Sequence, residues 1–185
     1  MTTTETALLT ADEFFRLDHR DVRCELVRGV IHKTMPSGEL HGRIVTNLVG
    51  ELWAYTKPKR LGTLLASDTG VWLERDPDTV RAPDVAFIAA DRLPLDSWNR
   101  HFCAVVPDLA VEVASPRDSR RALDERARMW LGHGVRLAWV VKPKTRSVDT
   151  YRPGAPAVTL TGSDILAAAD VLPGFTCAVS TIFDS

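Results

Sequence analysis

Cysteine is scarce, and neither sign of charge is in excess. The three cysteines, Cys24, Cys103 and Cys177, are odd in number and widely spaced. That excludes a disulfide scaffold and predicts reduced, mostly buried thiols in a cytoplasm. The 23 basic and 24 acidic residues leave a formal net charge of -1, which excludes a protein that coats nucleic acid through bulk charge, and an acidic disordered tail. A local basic groove is compatible with that balance. No apolar run approaches the ~18 residues of a membrane span, so no membrane association is expected. The start, Met1-Thr-Thr-Thr-Glu-Thr, lacks the basic opening and apolar core of a secretory signal. The five histidines form no HExxH pattern, and there is no CxxC pair. His101-Phe102-Cys103 is only half of a zinc site, and coincidence is the simpler reading. Internal repeats and low-complexity linkers are absent too.

What is present is an ordinary soluble composition: 185 residues, 45% apolar and 25% charged. A chain of this size buries about 70% of its unfolded surface, enough for a core without disulfides or structural metal. One domain over residues 10–185 is expected, after a flexible tail at residues 1–9.

Thr10-Ala11-Asp12-Glu13 has the form of a capping box and predicts a short helix to about Leu17. Val22, Cys24 and Leu26 alternate, Arg28-Gly29 turns the chain, and Val30-Ile31-His32 continues as a paired or bent strand. Pro36-Ser37-Gly38 breaks the chain ahead of a helix marked by Ile44, Val45, Leu48, Leu52 and Tyr55. That helix is expected to end before Lys57-Pro58, because proline disfavours a helical residue ahead of it. Leu64-Leu65, Val71–Leu73, Val85–Ile88, Leu109–Ala114, Leu137–Val141 and Ser147–Arg152 read as strands, with Glu74–Thr79 a polar turn. A helix from about Ser119 to Leu131 is expected to stop at Gly132 and Gly134. Short edge elements follow over Val158–Leu160, Ile165–Ala169 and Phe175–Phe183. The order predicts an α/β (α+β) domain with a mixed central sheet flanked by helices.

Three acids stand out. Glu112 lies inside Leu109-Ala110-Val111-Glu112-Val113-Ala114, where a carboxylate is costly unless it is paired, hydrogen-bonded or bound to metal. Alternation also permits a half-exposed strand with Glu112 facing water. Asp84 follows Pro83 directly ahead of an apolar strand, as a ligand or as an ordinary turn residue. Glu25 sits between Cys24 and Leu26, as a site residue or as an outward-facing strand position. Acids from three separate elements with no adjacent histidine or cysteine suit Mg²⁺ or Mn²⁺ rather than zinc. Such sites typically act on phosphodiesters.

With these residues in hand, the sequence resembles the Uma-two family, classed as restriction endonucleases within the PD-(D/E)XK nuclease superfamily. The resemblance runs through Glu25-Leu26-Val27-Arg28-Gly29-Val30, Met35-Pro36-Ser37, His41 at a helix start, Arg81–Phe87 and Pro107–Pro116. It continues through Gly134-Val135 with the Trp139 strand and ends at Leu172-Pro173-Gly174-Phe175. It implies a restriction-endonuclease-like core over about residues 10 to 183. It further implies that Asp84, Glu112 and the carbonyl of Val113 bind the divalent ion, with Glu25 completing the shell directly or through water. His41 matches a recurrent histidine, as an accessory site residue or a helix-cap contact. The lysine that family members carry on the helix falls at Arg126, four residues before Trp130. Arginine keeps the charge that clamps a phosphate, but it cannot act as a neutral base.

The implied function is metal-dependent endonuclease cleavage of DNA by a homodimer, with reduced activity because of Arg126. The alternative is a catalytically inactive nuclease-fold module for dimerisation or for binding nucleic acid or a partner. Arg117, Arg120, Arg121 and Arg128 read as phosphate contacts or as a solvated face balanced by Asp118, Asp124 and Glu125. Lys142 and Lys144 are minor candidates for the missing lysine. Trp53, Trp72, Trp98 and Trp139 are expected in the core or an interface.

Overall fold

The capping box forms as the sequence predicts. In the computed structural model, which describes residues 8–17, 23–66, 68–97 and 99–184, the Thr10 hydroxyl accepts the Glu13 N–H, and Glu13 returns to the Thr10 N–H at 2.8 Å. The short helix α1 (Ala11–Arg16) follows. Leu9 donates its N–H to the Gly29 carbonyl at 2.9 Å. Residues 1–7 of the expected tail, Val22 and Trp98 lie outside the described residues.

Strands β1 (Arg23–Val27) and β2 (Val30–Thr34) form a hairpin with Val27 opposite Val30. Arg28 and Gly29 both take positive φ, 50° and 77°, the pattern of a two-residue hairpin turn whose twist matches that of the strands. Helix α2 (Glu39–Lys59) then buries Ile44, Leu48, Leu52 and Thr56. It runs through Pro58 rather than ending ahead of it. Proline in the last turn forfeits a single backbone bond, and the burial of this face carries the helix past it. The actual stop is Arg60, left-handed at φ 53°, where Leu61 donates back to the Thr56 carbonyl at 3.2 Å.

Next come β3 (Gly62–Ala66), β4 (Val71–Glu74), β5 (Thr79–Arg81), β6 (Val85–Ala89) and β7 (Leu109–Val113). Helix α3 (Arg120–Gly132) follows, with the Ser119 hydroxyl capping the Ala122 N–H. Gly132 is its last residue, and the turn away comes at Gly134, φ 96°. The chain ends with β8 (Leu137–Lys142), β9 (Ser147–Tyr151), β10 (Val158–Thr161), β11 (Ile165–Ala167), β12 (Thr176–Ala178) and α4 (Val179–Phe183). Besides the end of α2, two elements differ from expectation. β5 begins at Thr79, the last residue of the expected polar turn, and continues through Val80 and Arg81, for which the sequence predicts no strand; the final edge segment divides into a strand and a helix.

The central sheet has six strands in the order β10-β9-β8-β7-β6-β3. Only β7 and β8 run parallel, joined through α3. A four-stranded sheet, β2-β1-β5-β4, stands beside it, and β11 pairs with β12. This is the mixed α/β architecture the sequence predicts. Period-two alternation assigns the two faces of β7. Leu109, Val111 and Val113 pack with Ile44, Leu48 and Leu52 of α2. Ala110 packs with Leu123, Ala127 and Trp130 of α3, so Glu112 is turned toward α3. Trp139 is buried, Trp72 is half-buried, and Trp53 is exposed on α2 under the Lys57 ammonium. No described helix is long and apolar enough to cross a membrane.

Candidate functional site

The site is built where the β6–β7 ladder ends. Val85 stands opposite Val111, so the next position along the antiparallel pair sets Asp84 across from Glu112 on the same face. Before Asp84 the chain leaves the sheet at Ala82-Pro83, and on the β6 side no strand remains beside Val113. Asp84 fills that gap: its Oδ2 accepts the Val113 N–H at 2.7 Å. Ala114 donates to Val141 of β8 at 2.8 Å. In an extended strand the neighbouring residue points the other way, so both the N–H and the carbonyl of Val113 face Asp84. Every residue of β7 is buried, which removes the reading of Glu112 as a water-facing strand position.

Helix α3 supplies partners for both Glu112 oxygens. The Trp130 indole N–H donates to Oε1 at 2.7 Å, and Arg126 Nη1 reaches Oε2 at 3.4 Å. One helical turn separates these two residues, so they share a stripe. Arg126 also reaches Asp118 Oδ1 at 3.5 Å, while Asp118 Oδ2 accepts the Ser115 N–H at 2.8 Å. Burial pushes the Glu112 carboxyl up to about 7, opposed by Arg126 and the Trp130 hydrogen bond and reinforced by Asp84 and Glu25. Burial works against the Arg126 charge, but Glu112, Asp118, Glu25 and Asp84 outweigh it.

Two further walls come from elsewhere. His41, in the first turn of α2, places Nε2 3.2 Å from Asp84 Oδ2. Glu25 of β1 accepts the Ala82 N–H on Oε1 at 3.0 Å. Its other oxygen lies 3.3 Å from Arg81 Nε, a buried nitrogen that is not aligned for a hydrogen bond. Glu25, His41, Asp84, Glu112, Val113 and Arg126 thus line one cleft of about 540 Å³.

The structure therefore gathers all six of the residues picked out by sequence. Reading the sequence missed Trp130 as a partner of Glu112, Asp118 as an anchor for Arg126, and Arg81 beside Glu25. The spacing of Trp130 from Arg126 was the one available signal. Of the other cations, Arg117 lines the cleft. Arg121 and Arg128 pair with Glu125 and Asp124 on the exposed face of α3, and Lys142 pairs with Asp149 at 2.6 Å.

Among the described residues, no three histidine, cysteine, aspartate or glutamate side chains are gathered so as to hold a metal ion by themselves. The donors that face the cleft between β6 and β7 are two carboxylates and one main-chain carbonyl. An all-oxygen set of this kind, completed by water or substrate oxygens, fits Mg²⁺ or Mn²⁺.

A mixed sheet with a buried acid pair at the end of its central strands defines a restriction-endonuclease-like protein. The family model Uma2, described as "putative restriction endonuclease", matches residues 11–180, and the chain belongs to that family. The chain is also similar to a crystal structure described as "a putative nuclease belonging to DUF820" from Anabaena variabilis. The TM-score is 0.80 at 21% identity, covering 95% of this chain and 97% of the other. That likeness establishes the fold. No curated protein matches the chain.

Proposed function

We propose that the cleft is the active site of a divalent-metal-dependent endonuclease that hydrolyses DNA phosphodiester bonds. The observation that carries this reading is the opposition of Asp84 and Glu112, two buried acids at the end of adjacent strands. Like charges so placed disfavour each other, and a cation between them relieves the repulsion. Asp84, Glu112 through Oε2, and the Val113 carbonyl would hold Mg²⁺ or Mn²⁺. When bound, such an ion lowers the pKa of a water and neutralises charge developing on the phosphate.

The chain's own residues then have separate tasks. The Val113 N–H and His41 orient Asp84 from two sides. Glu25 is committed to the Ala82 N–H and to Arg81, so it steers water or substrate from the cleft wall. Arg126 presents a fixed cation beside Glu112, suited to a non-bridging phosphate oxygen. It cannot take a proton from water, so proton removal falls to a carboxylate or to solvent. The working unit is proposed as a homodimer in the cytoplasm, one cleft for each DNA strand. The three free thiols support a reducing setting.

One observation favours a second reading. Arg126 already spends its guanidinium on Glu112 and Asp118, as expected of a nuclease-fold module that binds without cutting. Nicking of supercoiled plasmid with Mg²⁺ or Mn²⁺ separates the two. Cleavage by wild type that is lost in Asp84→Ala and in Glu112→Ala supports the enzyme. Equal activity in all three proteins rejects the assigned site.

A further inference from the structure

Both oxygens of the buried Glu112 carboxylate are met by donors of a single helix. Arg126 reaches Oε2 at 3.4 Å from the cleft wall. Trp130 is fully buried and donates to Oε1 at 2.7 Å. The indole has a single polar group, and here that group goes to Glu112. Its ring is fixed by packing with Leu123, Ala127, Ala110 and Val140. A packed ring cannot follow a moving carboxylate, so the carboxylate must hold still against it.

We infer that Trp130 is a positioning residue for the proposed metal site, fixing the Glu112 carboxylate through Oε1 so that Oε2 is the oxygen offered to the ion. The inference rests on the functional reading above. Trp130 touches neither substrate nor ion. It acts through Glu112, as the hydrogen-bond partners of metal-bound side chains commonly do, and loss of such a partner typically weakens metal affinity by about 10- to 100-fold.

The test is calorimetric titration of the full chain with Mn²⁺ at a pH where imidazole is neutral, with melting curves taken in EDTA. Trp130→Phe removes the N–H, and Trp130→His restores a ring N–H on a still smaller ring. Leu123→Ala loosens the same packing without touching Glu112. The expected result is about 10- to 100-fold weaker Mn²⁺ binding by Trp130→Phe, most of it recovered in Trp130→His. Leu123→Ala should melt lower yet keep the wild-type Kd. An unchanged Kd in Trp130→Phe, or equal weakening in Leu123→Ala, overturns the positioning role. Asp84→Ala makes the two failures distinguishable. If it binds Mn²⁺ as wild type does, the metal site itself is wrong and the inference falls with it. If it loses the ion while Trp130→Phe keeps it, only the inference is wrong. Should Trp130→Phe not fold, the wild-type protein answers through the Trp130 indole N–H resonance. That resonance is expected to shift with added Mg²⁺ in wild type and to stay still in Asp84→Ala. A resonance that stays still in wild type while calorimetry detects binding overturns the role.

Discussion

Asp84 Oδ2 accepts the main-chain N–H of Val113 at 2.7 Å, so one carboxylate both closes the end of the β6–β7 ladder and faces Glu112. Structure and site share an atom there, and a change of charge can be separated from a change of shape. Asp84→Asn keeps an acceptor for Val113 and drops the charge. It is expected to lose DNA cleavage with little change in melting temperature. Asp84→Ala leaves a buried N–H unpaired, which costs about 1 to 3 kcal/mol. Nicking assays and melting curves on the two variants check this. An active Asp84→Asn would contradict the site.

Glu112 gives the protein a pH signature. Its carboxyl is raised in the folded state from 4.5 to about 7, burial being the largest cause. The folded protein therefore holds a proton that the unfolded chain releases. This contribution to stability is complete below pH 4.5 and is lost as pH rises through 7. The loss amounts to at most about 3 kcal/mol. In EDTA, wild type is expected to lose stability relative to Glu112→Gln between pH 5 and pH 8. Parallel melting profiles for the two proteins would contradict the assignment.

Arg126 supplies charge without basicity. Arg126→Ala is expected to reduce cleavage by about 10²-fold, the scale of one lost electrostatic donor to a transition state. Arg126→Lys is expected to cleave at least as well as wild type. A large gain marks wild type as a weakened enzyme. No cleavage by wild type or by Arg126→Lys supports the binding module.

Asp108 is a control for the fold. It is fully buried immediately ahead of β7, at the opposite end from Glu112. It accepts the Ala89 N–H at 2.9 Å and Arg92 at 2.8 Å. Asp108→Ala strands the Ala89 N–H, a loss of about 1 to 3 kcal/mol, and releases Arg92, whose guanidinium is already exposed to solvent. Thermal unfolding should fall sharply while Mn²⁺ affinity at temperatures below melting is unchanged. A loss of affinity without a loss of stability would contradict this division of roles.

Much of the site was legible in sequence for a physical reason. Glu112 and Asp84 are carboxylates in or against apolar strands, where burial demands a partner. Their opposition was not legible, because it depends on the register of β6 against β7. Nor was the Glu25–Ala82 hydrogen bond, which spans 57 residues. Arg126 was placed only through resemblance to a family. Trp130 entered only as the aromatic four residues after Arg126, and spacing does not reveal which way an indole N–H turns. In the fold, β5 was missed because three residues carry too little alternation. The end of α2 was misjudged because local proline chemistry was weighed without the buried face that sustains the helix.

Crystals soaked in Mn²⁺ show whether Asp84 and Glu112 share a divalent ion. The expected result is an anomalous peak between the two carboxylates, with Asp84, Glu112 Oε2 and the Val113 carbonyl at about 2.0 to 2.6 Å. A fully soaked crystal with no peak there, or with Mn²⁺ bound only elsewhere, would contradict it.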